Sequence, residues 1–301
     1  MNMPLRNDKA NHVSLQKPAM TLVLLFSLFA FFLILTPILT GLLGRICHKP
    51  DAILRIAMVI QDLLVFILPA LLTALVSTRL PARLLCIDTK PRAIIALWSL
   101  LTLVVSIPAM NAIIEWNQNL HLPEAMNGFE STMRQLESNA QAVTDSLMAG
   151  ASVPSLVVSI LIIGVLAGFS EELFFRGAMQ RIMSASRMNI HAAIWTTAFI
   201  FSLFHFQFFG FVPRLLLGAY FGYLLWWSRS LWIPVFVHMF NNSLVVFTTW
   251  RNANNPDAAI DIDKLGSALS TFPAIAMVCA SIALTITALY FTERQCRKDC
   301  K

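Results

Sequence analysis

Residues 153–177 read VPSLVVSILIIGVLAGFSEELFFRG, an uncharged run from Val153 to Ser170 that ends in two adjacent glutamates, with Arg176 four residues beyond the second. About 20 apolar residues carry a helix across the hydrocarbon core of a bilayer. The stretch is therefore read as a membrane-crossing helix that continues through Glu171 to Met183, because residues 171–183 hold no proline and only Gly177 as a weak breaker. Charged and imidazole groups are expensive at membrane depth, so each one inside an apolar run asks for a functional reason. Two further intrusions follow: His205 in residues 199–209, FIFSLFHFQFF, and His238 with Asn242 in the apolar run 231–250.

Outward from this stretch the same pattern repeats. Hydrophobic residues make up 57% of the 301 and charged residues 13%, with a mean hydropathy of +0.69. A soluble domain carries about 25% charge, so a soluble fold is excluded. The expected fold class is all-α: a polytopic integral membrane helical bundle of about eight transmembrane helices. The runs are 20–44, 55–79, 93–114, 153–170, 187–213 with His205 inside it, 215–228, 231–250 and 271–292. The first exceeds the apolar core of a signal peptide and has no small-residue cleavage site after it, so it is read as a retained helix. Asp62, beside Gln61 in the second run, is read as a solvated or locally paired helix end, with a polar contact to the active bundle as the alternative. Arg214 and Arg229 bound a short sixth run, and Arg214 is read as a snorkelling interfacial cation, with a substrate carboxylate as the alternative.

Residues 115–152 are polar and acidic. Within them Met126, Phe129, Met133, Leu136, Ala140, Val143 and Leu147 recur at spacings of three and four, which predicts an amphipathic helix along the membrane surface or over the bundle. Pro123 and Glu124 suit its first turn. The chain thus divides into 1–152, the first helices with this outward segment; 153–250, the core that carries the motifs; and 251–301, a last helix with a basic tail.

The formal net charge of +6 sits in short loops, a distribution that fits membrane orientation and gives no phosphate-binding face, so no nucleic acid partner is expected. Lys and Arg concentrate in the N-terminal tail with Arg6 and Lys9, the loops 79–92 and 171–188, and the C-terminal tail, which places both termini in the cytoplasm. With no organelle-targeting signal, the expected location is a bacterial cell inner membrane. The five cysteines show no disulfide framework, and Cys296 with Cys300 is read as part of an ordinary tail, a metal or acyl site being the alternative.

On a helix Glu172 and Arg176 share a face in the favourable acid-before-base order, while Glu171 is rotated by about 100° and points elsewhere. Glu172 and Arg176 are read as a structural ion pair that leaves Glu171 free to act. His238 and Asn242 differ by about 40° around a helix and lie about 6 Å apart along it, so their donors reach one side. No Gly-x-Ser-x-Gly elbow occurs, no cysteine lies within the motifs, and no His-Glu-x-x-His helix is present. A carboxylate, two imidazoles and an amide remain, a set suited to activating water. The plainer alternatives are a surface salt bridge at a helix end and a hydrogen-bonded core histidine.

Glu171-Glu172-x-x-Phe175-Arg176-Gly177, then Phe201-x-x-x-His205, then Pro234-x-x-x-His238-x-x-x-Asn242, in this order within apolar runs, resembles the CPBP (ABI) family of intramembrane proteases, which includes the type II CAAX prenyl endopeptidases. The resemblance covers residues 153–250. It implies that Glu171 with His205 activates the attacking water, that His238 and Asn242 stabilise the oxyanion, and that Glu172 and Arg176 support them. It leaves the cofactor open: none, or zinc on Glu171, His205 and His238 with an open position. The implied partners are the lipid bilayer and a peptide or membrane-protein substrate. Prenylated CAAX proteins are not expected in a bacterium, and the residues do not give the oligomeric state. A non-enzymatic scaffold, such as a bacteriocin-immunity or regulatory protein whose polar cluster holds the bundle together, is the rival from another class. A transporter lacks the internal repeat or paired broken helices it would need.

Overall fold

The computed structural model describes residues 15, 17–186, 188–259, 262–267 and 271–298. Expectations that involve Arg6, Lys9, Arg187, Cys300 and Lys301 lie outside the described residues. Every regular element among the described residues is helical: α1 (Pro18–Ile46), α2 (Asp51–Ser77), α3 (Ala93–Gln118), α4 (Asn127–Met148), α5 (Val153–Ala185), α6 (Ile190–Leu203), α7 (Phe211–Ser228), α8 (Trp232–Asn254) and α9 (Phe272–Lys298). The chain is a polytopic helical membrane bundle. Each of the eight expected runs carries a helix, and six of the helices are long and apolar enough to cross a membrane. The other two are α6, apolar but only 14 residues long, and α8, whose 23 residues include His238, Asn241 and Asn242.

Local sequence explains the helix ends and bends. Ser152 accepts the Ser155 N–H at 3.3 Å and Asn189 the His191 N–H at 2.8 Å, so α5 and α6 each begin on a side-chain cap. In α2, Pro69 has no N–H to offer the preceding turn, and the helix widens into a π-turn over Asp62–Ile67. Pro108 likewise has no N–H to give, but α3 runs through it without a π-turn. There Ser281 of α9 donates to the Val105 carbonyl at 2.6 Å and accepts the Ala109 N–H at 3.2 Å, repairing the ladder from a neighbouring helix.

Helix α5 is the axis of the bundle. It carries two wide π-turns, Ile160–Ala167 and Leu173–Gln180, and between them an ordinary turn, Gly168–Glu172, that holds both glutamates. Its Leu173, Phe174 and Phe175 join Leu25 and Phe29 of α1, Val65 of α2 and Val235 of α8 in one core. Gly168 lets α8 approach at backbone distance: a Cβ there would lie 3.1 Å from the Met239 nitrogen, and a Cβ at Gly164 would collide with Ser243. Small residues one turn apart are a usual device for close helix contact in membranes. Here they bring His238 to the glutamates.

Glu171 lies well inside α5, which continues to Ala185, as the expected continuation to Met183 has it. Two expectations are corrected. His205 is not inside a span: α6 stops at Leu203, and His205 sits in the turn that leads to a short 3-10 turn, Phe208–Gly210, and α7. The surface helix begins at Asn127, after a 3-10 turn over Glu124–Met126. Met126 just before it and Phe129, Leu136 and Val143 on it are exposed while Glu130 and Leu147 are buried, so α4 meets the bundle largely along a polar edge.

Candidate active site

Glu172 and Arg176 form the expected pair, Oε1 to Nη1 at 2.6 Å, with both side chains fully buried. This rules out a surface salt bridge. Arg176 also donates from Nη2 to the Gly218 carbonyl at 3.0 Å, and its guanidinium lies 4.5 Å from the Phe201 ring centroid and 5.4 Å from that of Phe221. A buried ion is tolerated when paired and hydrogen-bonded, and Arg176 has both.

The same Glu172 Oε1 accepts from Nδ1 of His238 at 2.8 Å. A carboxylate can only accept, so Nδ1 carries the proton and the tautomer is set from behind. The imidazole, 5% exposed, stacks on Phe221 at 4.8 Å and directs Nε2 toward Glu171 Oε2, 3.8 Å away. Glu171 makes no shorter ion pair among the described residues, and its side chain is 16% exposed where that of Glu172 is 0%. The two adjacent acids thus differ in kind: one is locked, the other open.

His205 donates from Nδ1 to the Phe201 carbonyl at 2.8 Å, which leaves Nε2 as the free nitrogen. The Phe201 ring touches both imidazoles edge-on, its centroid 4.8 Å from that of His205 and 6.1 Å from that of His238. Arg214 is a charge neighbour of both Glu171 and His205, so it belongs to this cluster as well as to the start of α7. It donates to the Gln207 side chain at 2.6 Å. Asn242, one turn after His238, donates from Nδ2 to the Ile163 carbonyl at 3.2 Å and receives the Asn241 amide at 3.3 Å, which leaves one N–H unused.

Glu171, His205 and His238 are not gathered as a metal centre. Among the described residues no three His, Cys, Asp or Glu side chains come together in the way a bound ion requires. Nδ1 of each imidazole is held by a carbonyl or a carboxylate and Nε2 is left free, the donor chemistry a zinc ligand has, but the three side chains are not grouped around one point in this arrangement.

One polar residue here was misread in the sequence. Asp62 is 2% exposed, in the π-turn of α2, and its Oδ1 accepts the Ser170 hydroxyl at 3.0 Å, immediately before Glu171. It is a third buried acid beside the cluster. A carboxylate amid apolar residues with Pro69 one π-turn on was the available signal, but Ser170 lies 108 residues away and no local pattern names it.

Residues 153–244 match the family model described as type II CAAX prenyl endopeptidase Rce1-like. This interval contains Glu171, Glu172, Arg176, His205, His238 and Asn242. No curated protein and no solved structure matches the chain.

Proposed function

We propose that this multi-pass membrane chain, with its Rce1-like segment, is an intramembrane endopeptidase that cleaves a membrane-embedded, lipidated or otherwise apolar peptide by attack of an activated water. The observation that carries the proposal is the asymmetry of the acids. Glu172 is consumed by Arg176 and by Nδ1 of His238, while Glu171 faces Nε2 of that ring with its carboxylate open. Glu171 takes a proton from water, the oxygen attacks the scissile carbonyl carbon, and the carbonyl electrons move onto oxygen. His205, through its free Nε2, holds the same water. The unused N–H of Asn242, and His238 once its Nε2 has taken a second proton from solvent to make an imidazolium beside Glu171, then donate to the oxyanion, donors that gain strength where water is scarce. As the tetrahedral centre collapses, the C–N bond breaks and the proton held by Glu171 passes to the leaving amine. No step is routed through zinc.

The scaffold reading has one observation in its favour, the fully buried Glu172–Arg176–His238 network, which any stable bundle could use. The two readings part under mutation. Purified chain in lipid discs is offered a farnesylated peptide ending in a CAAX sequence and an apolar transmembrane peptide. Glu171→Ala and His205→Ala are expected to abolish cleavage with helical content retained, and a metal chelator is expected to leave the wild type active. Cleavage that persists in either variant overturns this mechanism. Loss of fold in both variants, with no cleavage by the wild type, favours the scaffold.

A further inference from the structure

The loop that carries His205 is built from outside. It spans 204–210 between α6 and α7, and the His205 N–H reaches back to Ser202 only at 3.4 Å. The next residue, Phe206, has φ 52°, a left-handed conformation that bulky side chains adopt only when their surroundings enforce it. Two outward elements supply that enforcement. Asn117, at the end of α3 and 2% exposed, accepts the Val212 N–H at 2.8 Å and donates to the Phe208 carbonyl at 3.3 Å. It therefore caps the first turn of α7 from another helix, on an N–H that has no partner within α7. Glu137 of α4 accepts the Phe209 N–H at 2.9 Å, and the Arg134 guanidinium lies 3.9 Å over the Phe209 ring. Arg134 is in turn held by Glu130, Nε to Oε1 at 2.9 Å, and the other oxygen of Glu130 accepts the Leu122 N–H at 2.7 Å.

We infer that α4 and Asn117 form a clasp on the His205 loop, which makes Glu137 and Asn117 positioning residues for the reaction proposed above. The polar segment 115–152 thereby acts on the site from outside, because its carboxylates hold the backbone of the loop and the arginine that covers it. The inference rests on the protease reading only for its catalytic consequence.

The test uses the full chain in lipid discs and follows hydrogen–deuterium exchange of residues 204–212. Glu137→Ala removes the acceptor and is expected to speed exchange in this segment by about tenfold, with α1, α2 and α9 unchanged. Glu137→Gln keeps a carbonyl acceptor and is expected to stay within about twofold of wild type. Asn117→Leu, which removes the hold from the α3 side, is expected to behave like Glu137→Ala. On the cleaved peptide, kcat is expected to fall about tenfold for Glu137→Ala at unchanged KM, and to recover in Glu137→Gln. Exchange in Glu137→Ala equal to wild type, or Glu137→Gln as fast as Glu137→Ala, overturns the clasp whatever the cleavage result. Faster exchange with undiminished cleavage overturns the positioning role. Faster exchange in a chain whose wild type cleaves nothing upholds the clasp and counts against the protease reading alone.

Discussion

Glu171 and Glu172 are neighbours in sequence and opposites in environment, and single isosteric changes should separate them. Glu172→Gln leaves Arg176 as a buried cation without its acid and leaves His238 Nδ1 only a neutral carbonyl acceptor. Such a break costs about 3–5 kcal/mol, which a fall in unfolding midpoint in lipid discs would report. Glu171→Gln, on a side chain with no ion pair shorter than 3.8 Å among the described residues, should leave that midpoint within about 1 kcal/mol of wild type while it removes the base. Equal destabilisation by both would contradict the division of roles. This division was legible in the sequence because the pairing at i and i+4 is a property of helix geometry alone. What His238 does with its two nitrogens was not, since spacing places a ring on a face and says nothing of the acid behind it. Asp62 was misread for the same reason: its partner comes from another helix.

At the scale of elements, the site depends on how closely α7 approaches α5 and α6. A Cβ at Gly222 would sit 2.7 Å from Gln180 Oε1 and 2.8 Å from Ile194 Cγ2, so Gly222→Ala must push α7 away and is expected to cost about 1–3 kcal/mol of stability, read from the same melts. A neutral result would mean that α7 is looser than described. The turn between α3 and α4 carries its own pH signature. The Leu122 N–H, then the Arg134 guanidinium and His121, hold the Glu130 carboxyl down at about 2 against an ordinary 4.5. A depressed carboxylate stabilises fully above its ordinary value and loses this as pH falls toward the folded one. Protection of residues 121–137, taken relative to the intrinsic amide exchange rate at each pH, should therefore be flat from pH 7 to about 5 and fall below about 4, and Glu130→Gln should abolish that fall. The 3.6 periodicity announced α4, yet its stripe is largely exposed, because periodicity tells which residues share a face and not what the face meets. The end of α6 at Leu203 was hidden within one apolar run. Only Gln207 and Gly210 hinted at a turn there.

The whole molecule is a membrane bundle whose fold was legible almost entirely from composition and apolar runs, since chains of this hydropathy have few ways to satisfy their backbone. The division of labour among helices was less so: α6 is too short and α8 too polar to meet a span's ordinary criteria, and both are kept by packing against α5. Both termini are expected on the cytoplasmic side with α4 opposite. A cysteine introduced as Asn139→Cys should then react with an impermeant maleimide in intact cells, and labelling only after lysis would reverse the topology. The central claim is that the open glutamate of an Rce1-like segment activates water against a peptide bond. Its most direct test compares peptide termini in membranes that express wild type or Glu171→Gln at matched levels. The account predicts termini present only with wild type, insensitive to a zinc chelator; identical sets of termini from the two would contradict it.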